Sequence, residues 1–171
     1  MSKVSSLIQT DNPNIMYVAD MDYREEYAHL EEELDLQRLK NALWRALFEI
    51  LDENDVLRGV DISQLNVTFT HAYGKEGRGA GFCHYNPMLD RAWLGVSMKV
   101  VSELSGENTE VVSDVAGDLK PLLAHELCHY KLYREKYIHG EDDPRFQSLL
   151  EEVGAATHYN PNTQSFTYNY S

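Results

Sequence analysis

Apolar side chains recur at helical spacing in three stretches of the chain. In the first, residues 23–51, leucine and isoleucine follow one another at intervals of three and four, and aromatic residues widen the stripe. These intervals place side chains on one face of a helix, so one long helix or two consecutive helices are predicted. The same spacing predicts a second helix from Leu119 to about Lys136 and a third from Pro144 to Gly154.

The boundaries of the two C-terminal helices carry their own signals. Asp118 is a natural N-cap, and Pro121 is tolerated only in a first helical turn, so the second helix is predicted to begin directly after Asp118. The two aspartates at 142–143, followed by a proline, predict the N-cap of the third helix. Gly154 predicts its end, since glycine readily adopts the left-handed conformation that closes a helix.

Between the first and second helices the pattern changes to the alternation that is typical of strands. Residues 65–71 alternate with period two and are rich in β-formers, and residues 82–85 and 92–101 predict two further strands. The stretch 74–81 is rich in glycine, but no GK[ST] sequence follows it and no helix signal opens after it, so a hairpin connection is predicted rather than a phosphate-binding loop. Because the connections are short, the three strands are predicted to form an antiparallel sheet.

The two ends of the chain differ in character. Residues 1–18 are polar apart from the apolar patch Ile15–Val18, and they predict a flexible N-terminal arm. Residues 19–171 are numerous enough to form one domain with its own core. Alternating aromatic residues within 160–171 predict a final strand. The expected fold class is α+β, with an N-terminal helix, a small three-stranded sheet and two C-terminal helices.

Charge narrows the classes of partner. The chain has 171 residues and a net charge of −13, from 28 acidic and 15 basic residues. Direct contacts to nucleic-acid phosphates need clustered lysine and arginine, so this balance argues against a general nucleic-acid-binding surface. Much of the acidic excess lies within residues 20–35. A solvated helix face accounts for it, and the alternative is a surface for a basic partner or a mimic of nucleic acid.

Three features of the sequence bear on location. No apolar run approaches the length of a membrane-spanning helix, and the first residues lack the apolar segment of a secretory signal. The two cysteines, Cys83 and Cys128, do not indicate a disulfide framework. A cytoplasmic protein without a membrane partner is therefore predicted.

The second predicted helix contains the pentapeptide HELCH, an HExxH motif that begins at His125. Histidines four residues apart on a helix are separated by about 40° around the axis and about 6 Å along it, so His125 and His129 can reach one ion. Glu126 lies between them and can point at a water that the ion holds. This residue pattern predicts a metal site with Glu126 as a general base.

A catalytic zinc typically takes three protein ligands and leaves one position for water. His139 is the leading candidate for the third ligand because it lies in the short loop between the two C-terminal helices, from which the chain can fold back. Glu151 and Glu152 on the third helix are the alternatives, and the acidic residues at 142–143 are better used as a helix cap.

The segment HELCHYKLYREKYIHGEDDPRFQSLLEEVGA resembles the SprT-like metallopeptidase family, which includes the Spartan-type proteases that digest DNA–protein crosslinks. The resemblance is strong over residues 119–155, loose over residues 36–118 and absent over the N-terminal arm. The positions that match the family's pattern are His125, Glu126, His129, His139, Phe146, Leu149 and Gly154.

The resemblance implies a minimal zincin-like domain that binds one zinc ion through His125, His129 and His139. It also implies an endopeptidase with Glu126 as general base, acting on DNA-associated proteins. Two features depart from the family: the chain has no paired cysteines for a C-terminal zinc ribbon, and its acidic balance offers little for DNA. Any DNA association is therefore expected to be indirect.

Two other functions remain open from the sequence. One is a regulatory metallopeptidase that cleaves a repressor, with Glu151 or Glu152 as the third ligand. The other is an acidic interaction or inhibitor protein with a structural or vestigial zinc site, for which the net charge of −13 is the supporting feature.

Overall fold

The computed structural model describes residues 15–18, 36–70, 80–105 and 112–170. Within these ranges five helices and two small sheets form a mixed α+β fold. In chain order the elements are β1 (Ile15–Val18), α1 (Leu36–Glu53), β2 (Leu65–Thr70), β3 (Gly81–Asn86), β4 (Arg91–Ser97), α2 (Met98–Ser105), α3 (Val112–Asp118), α4 (Lys120–Arg134), α5 (Pro144–Val153), β5 (His158–Asn160) and β6 (Ser165–Thr167). The glycine-rich stretch 74–79 and residues 19–35 lie outside the described residues.

The larger sheet has four strands in the order β1-β2-β4-β3, so the prediction of a three-stranded antiparallel sheet is wrong. Strand β2 runs parallel to both β1 and β4, and only the β3–β4 pair is antiparallel. Burial accounts for the positions of the strands whose side chains are described: β2 and β4 are mostly buried and take the inner positions, whereas every second residue at the start of β3 is exposed. Ile15–Val18, assigned from the sequence to the N-terminal arm, forms β1, and residues 1–14 lie outside the described residues.

The third predicted strand, residues 92–101, is also too long. Strand β4 ends at Ser97 and helix α2 begins at Met98. The Ser97 hydroxyl oxygen accepts a hydrogen bond from the Lys99 amide at 3.2 Å, which is the interaction of a helix N-cap. Val100 and Val101 are fully buried from the helix rather than from a strand. The apolar, β-branched residues of this stretch thus predicted a continuous strand, although the chain changes from strand to helix after Ser97.

Helix α4, which carries the HExxH motif, begins without the predicted cap. Asp118 is the last residue of α3, and Leu119 takes the N-cap position without a side-chain hydrogen bond. The Leu119 amide donates to Val115 at 3.0 Å and the Leu123 amide donates to Leu119 at 2.9 Å, so the hydrogen-bond ladder continues from α3 into α4. Because the backbone satisfies these amides, an aspartate cap has no role there.

Helix α5 confirms both of its predicted boundaries. The Asp143 carboxylate accepts hydrogen bonds from the amides of Arg145 at 2.8 Å and Phe146 at 3.2 Å. Pro144 follows in the first turn, and Gly154 closes the helix with a φ of 76°. The cap therefore fixes the start of α5 directly after the loop that contains His139.

Helix α4 lies at the centre of the molecule. It packs against β3, α1 and α5, and its leucines are buried. Its residues from Leu122 to Tyr130 are all buried, so the helix presents no broad solvent face. The final strand predicted within residues 160–171 is β6, which pairs with β5 in a separate hairpin. Across the described ranges, none of the helices is both long and apolar enough to span a membrane.

Candidate metal centre

The two histidines and the glutamate of the motif converge as the helical spacing predicts. One potential ligand atom from each of His125, Glu126 and His129 lies within 4.8 Å of the others, and all three residues are buried. A buried group of two imidazoles and a carboxylate at this separation can hold a metal ion.

His125 is oriented by the segment that follows α5. Its Nδ1 lies 2.7 Å from the carbonyl oxygen of Ala156. A carbonyl only accepts hydrogen bonds, so the proton of His125 is on Nδ1. The neutral ring therefore has its lone pair on Nε2, which is the arrangement that a metal-binding histidine needs.

His129 is oriented by His139 through a second hydrogen bond. His129 Nδ1 lies 2.8 Å from His139 Nε2, and His139 Nδ1 lies 2.9 Å from the carbonyl oxygen of Tyr137. The Tyr137 carbonyl requires the proton of His139 on Nδ1, so a neutral His139 accepts at Nε2 the proton carried by His129 Nδ1. This relay leaves the lone pair of His129 on Nε2, as for His125.

Glu141 occupies the space in front of both histidines. Its Oε2 lies 3.1 Å from His125 Nε2 and its Oε1 lies 2.9 Å from His129 Nε2. Sequence reasoning missed this residue, although it lies in the same loop as His139 and 12 positions after His129. Its position in the loop between α4 and α5 is the signal in the sequence that could have indicated it.

The donor set fits a divalent cation. Two imidazole lone pairs face the two carboxylate oxygens of Glu141, and such an arrangement is repulsive unless positive charge lies between them. Protons on the two Nε2 atoms or one metal ion would supply that charge. Imidazole nitrogen with carboxylate oxygen is a common zinc donor set, so His125, His129 and Glu141 fit the predicted ion.

The charges of the site shift one another's pKa values in the metal-free protein. Burial lowers the pKa of His125, but the hydrogen bond to Glu141 and the charges of Glu126 and Glu141 outweigh it and raise this pKa to about 9. Burial raises the pKa of Glu126 to about 7 against the opposing charge of His125. Burial also raises the pKa of Glu141, but its hydrogen bonds to the two histidines lower it by more. The metal-free site therefore retains protons that an ion would displace.

One phenylalanine of α5, Phe146, packs against the three histidine rings. The ring of Phe146 is fully buried and lies 4.0 Å from the ring of His129, centroid to centroid, at an interplanar angle of 18°. It also lies 5.0 Å from the ring of His139 and meets the ring of His125 edge-on at 5.3 Å. Phe146 therefore restricts the rotation of all three rings.

A cavity of about 300 Å³ opens beside Glu126. Its walls come from the start of β3, from α4 and from the β5–β6 hairpin, and the residues that bound it nearest the motif are Gly81, His125, Glu126, Glu141, Thr157 and Tyr159. The hairpin is tied down because the Tyr159 hydroxyl donates to Glu103 at 3.0 Å and the Tyr170 hydroxyl donates to the Ala155 carbonyl at 2.7 Å. The motif thus faces an accessible cavity, one wall of which is the anchored β5–β6 hairpin.

Close packing of β3 on α4 requires a glycine at position 81. A Cβ there would lie 2.8 Å from the Gly95 carbonyl oxygen, 2.9 Å from a Leu122 methyl carbon and 3.2 Å from the Glu126 carboxylate. We expect Gly81→Ala to lower the free energy of unfolding by about 1–3 kcal/mol, since neither the backbone nor the helix can move away freely. Chemical denaturation measures this change. Gly117→Ala is the control, because a Cβ there meets nothing within 4 Å; an equal loss in both variants would contradict the packing argument.

The alternative third ligands predicted from the sequence are not in the group of potential ligands that converge at the motif in the described residues. Glu151 and Glu152 are exposed on α5, and His84 on β3 packs beside Trp93 with ring centroids 5.8 Å apart. The Tyr130 hydroxyl donates to the Asp61 carbonyl at 2.7 Å, which commits it to a structural contact. Cys83 and Cys128 are both free thiols, and His71 lies outside the described residues.

Comparison of the chain with protein-family models, with curated proteins and with solved structures found no match.

Proposed function

We propose that this protein is a zinc-dependent endopeptidase of the SprT-like, zincin type. The observation that carries the proposal is the position of Glu126. Its buried carboxylate lies within 4.8 Å of potential ligand atoms of both motif histidines and lines the cavity between β3 and the β5–β6 hairpin. A base beside a metal-binding pair at an accessible cavity is the arrangement that peptide hydrolysis by a metalloenzyme requires.

When bound, zinc supplies a Lewis acid that polarises the scissile carbonyl and lowers the pKa of water toward neutrality. Glu126 takes a proton from the attacking water on its carboxylate and returns it to the leaving amine. Burial raises the pKa of Glu126 to about 7 in the metal-free protein, which suits a group that must both accept and release a proton near neutral pH. His125 and His129 hold their Nε2 lone pairs toward the site through the Ala156 carbonyl and His139.

The sheet offers a binding surface for an extended peptide. Strand β3 pairs only with β4 among the described strands and forms an edge of the sheet, and Gly81 at its start lines the cavity beside Glu126. A substrate strand that adds to β3 by main-chain hydrogen bonds would pass in front of the motif. The net charge of −13 favours basic protein substrates, such as DNA-associated proteins, over contact with DNA itself.

Metal removal tests the proposal directly. We expect the chelated, metal-free protein to leave an unfolded basic protein intact, and one molar equivalent of zinc to restore cleavage, because the polarised water is lost with the ion. Cleavage is followed by gel electrophoresis and mass spectrometry of the fragments. His129→Ala serves as the matched control, since zinc should not restore it. Proteolysis that persists at full rate in chelator would refute the proposal.

The acidic balance supports a second candidate, an interaction or inhibitor protein whose metal site is structural. The observation in its favour is again the net charge of −13, which suits a basic protein partner that is bound but not cut. Binding to a basic protein that survives metal removal, without any cleavage in the presence of zinc, would favour this candidate over the endopeptidase.

A further inference from the structure

The hydroxyl of Tyr133, one helical turn after the motif, has no bonding role in the fold. We propose that this hydroxyl donates a hydrogen bond to the oxygen of the scissile carbonyl as negative charge develops there. The hydroxyl keeps its own proton and stabilises the charge by hydrogen bonding alone. This assignment rests on the endopeptidase activity proposed above and adds one catalytic residue to it.

Tyr133 differs from the other tyrosines that are at least partly buried. Their hydroxyl groups donate to carboxylates or carbonyl groups of the protein, as those of Tyr85, Tyr130, Tyr137, Tyr159 and Tyr170 do. Tyr133 is also partly buried, but within the described part of the chain its hydroxyl forms no hydrogen bond and is not enclosed by protein. The hydroxyl is therefore accessible and can donate to a ligand.

Helical spacing places Tyr133 on the same face of α4 as the motif. It follows His129 by four residues and Glu126 by seven, so the three side chains lie within about 60° of one another around the axis. Side chains on a helix lean toward its N-terminus, so the ring of Tyr133 extends back toward His129. Burial raises the pKa of Tyr133, and the charges of Glu141 and Glu126 add to this, so the carboxylates of the site act on its hydroxyl.

Three neighbouring rings fix the position of the Tyr133 ring. Its centroid lies 4.6 Å from that of His139, 5.8 Å from that of His129 and 6.4 Å from that of Tyr85, at interplanar angles of 27°, 11° and 13°. Tyr85 is itself held in place, since its hydroxyl donates to Asp90 at 2.7 Å. A donor fixed in this way needs little reorganisation when charge develops on the substrate, which is the property that makes such donors effective.

The base and the hydroxyl lie on opposite sides of His129 along α4. Glu126 precedes His129 by about 4.5 Å along the axis and lines the cavity, whereas Tyr133 follows His129 by about 6 Å and does not line it. Peptide hydrolysis needs this separation, because the base faces the water and the leaving amine while the donor faces the carbonyl oxygen. A substrate strand paired with β3 would reach both groups, since Gly81 borders the cavity and Tyr85 contacts Tyr133.

Steady-state kinetics of the zinc-loaded full-length protein test the assignment with Tyr133→Phe, which keeps the ring and removes only the hydroxyl. On a fluorogenic peptide we expect kcat to fall about 100-fold with KM unchanged, because the lost hydrogen bond is made in the transition state. Zinc affinity, measured by competition with a chromophoric chelator, should stay at the wild-type value. Circular dichroism checks that the variant is folded.

Inhibitor binding gives a readout that does not depend on turnover. A phosphinic peptide, built on a cleavage site mapped by mass spectrometry, carries a charged tetrahedral group that mimics the developing oxyanion. Calorimetry should show that it binds about 100-fold more weakly to Tyr133→Phe than to the wild type. Tyr168→Phe is the matched control, because Tyr168 is 47% exposed and contacts none of the motif rings, and it should change neither kcat nor inhibitor binding.

Wild-type kcat together with wild-type inhibitor affinity in Tyr133→Phe would overturn the assignment. Tyr133→Leu, which also removes the ring, then shows what the residue does instead: weaker zinc binding in this variant alone means that Tyr133 only packs against the histidines. The same experiments separate the assignment from the proposed function. Equal cleavage by the wild type and Tyr133→Phe refutes the role of Tyr133 and leaves the endopeptidase intact. A zinc-loaded wild type that cleaves nothing refutes both.

Discussion

Glu126→Gln should reduce zinc-dependent proteolysis by about 10³-fold while zinc affinity changes little. Glutamine has nearly the same shape as glutamate but cannot accept a proton from water near neutral pH, and general-base catalysis commonly contributes 10²–10⁴-fold. The amide remains next to the motif histidines, so their orientation by Ala156 and His139 is preserved. Initial rates on a fluorogenic unfolded substrate measure the loss, and chelator competition measures the affinity.

The same substitution should stabilise the metal-free protein above about pH 7. The pKa of Glu126 is raised from 4.5 to about 7 by burial, so between these values the folded state keeps a proton that the unfolded state releases. Stability therefore falls as pH rises through this window, and it stays lower above it. Glutamine has no charge to bury. We therefore expect the free energy of unfolding of Glu126→Gln to exceed that of the wild type by about 1–3 kcal/mol at pH 8 and to differ little from it near pH 4.5.

A lower rate together with a higher free energy of unfolding is expected when a catalytic residue destabilises the fold, and it is not expected for a structural residue. Glu152→Gln is the control because its carboxylate is exposed on α5, and it should change neither the rate nor the stability at pH 8. Equal proteolysis in Glu126→Gln and the wild type would contradict the assigned role. A loss of stability in Glu126→Gln at pH 8 would contradict the electrostatic account even if the rate fell.

Local patterns in the sequence predicted those parts of the molecule that local contacts determine. Helix α5 has an aspartate cap, a proline in its first turn and a terminal glycine, and each acts within a few residues of its own position. The same holds for the convergence of His125 and His129, which follows from helical geometry alone.

Strand order could not be predicted in this way, because it depends on competition among strands for the buried positions. Strand β4 follows β3 directly in sequence, yet it also pairs in parallel with β2 and so separates β2 from β3. Short connections limit which strands are neighbours in the chain but do not determine which are neighbours in the sheet. The buried Leu94 and Val96 on β4 made the inner position more favourable.

The position of Glu141 depends on a side-chain hydrogen bond from a residue six positions further along the chain. Gln147, one turn into α5, holds the Glu141 carbonyl and so directs the side chain back to α4. A sequence pattern identifies His139 and Glu141 as loop residues but does not show which of them faces the Nε2 atoms. The structure places the carboxylate of Glu141 opposite the Nε2 atoms of His125 and His129, and it places the ring of His139 beside Nδ1 of His129.

Phe146→Ala should have the largest effect on stability of the changes considered. The side chain is fully buried, and removal of a buried phenylalanine ring costs about 3–5 kcal/mol through lost transfer energy and the cavity that remains. The cavity would lie against the rings of His129 and His139, whose centroids are now 4.0 Å and 5.0 Å from that of Phe146. Chemical denaturation in the presence of chelator measures the loss without a contribution from bound metal.

Zinc affinity distinguishes a general loss of stability from a loss of histidine orientation. Without Phe146, the ring of His129 can rotate away from the site, so we expect Phe146→Ala to weaken zinc binding about tenfold even at temperatures where the variant is fully folded. Leu150→Ala is the matched control, because Leu150 is equally buried on α5 and should cost about 2–5 kcal/mol. If Leu150→Ala weakens zinc binding as much as Phe146→Ala does, the ring of Phe146 contributes to folding alone. If only Phe146→Ala weakens it, the ring also holds the ligands in place, and α5 contributes to the site through Phe146 as well as through the loop that carries Glu141.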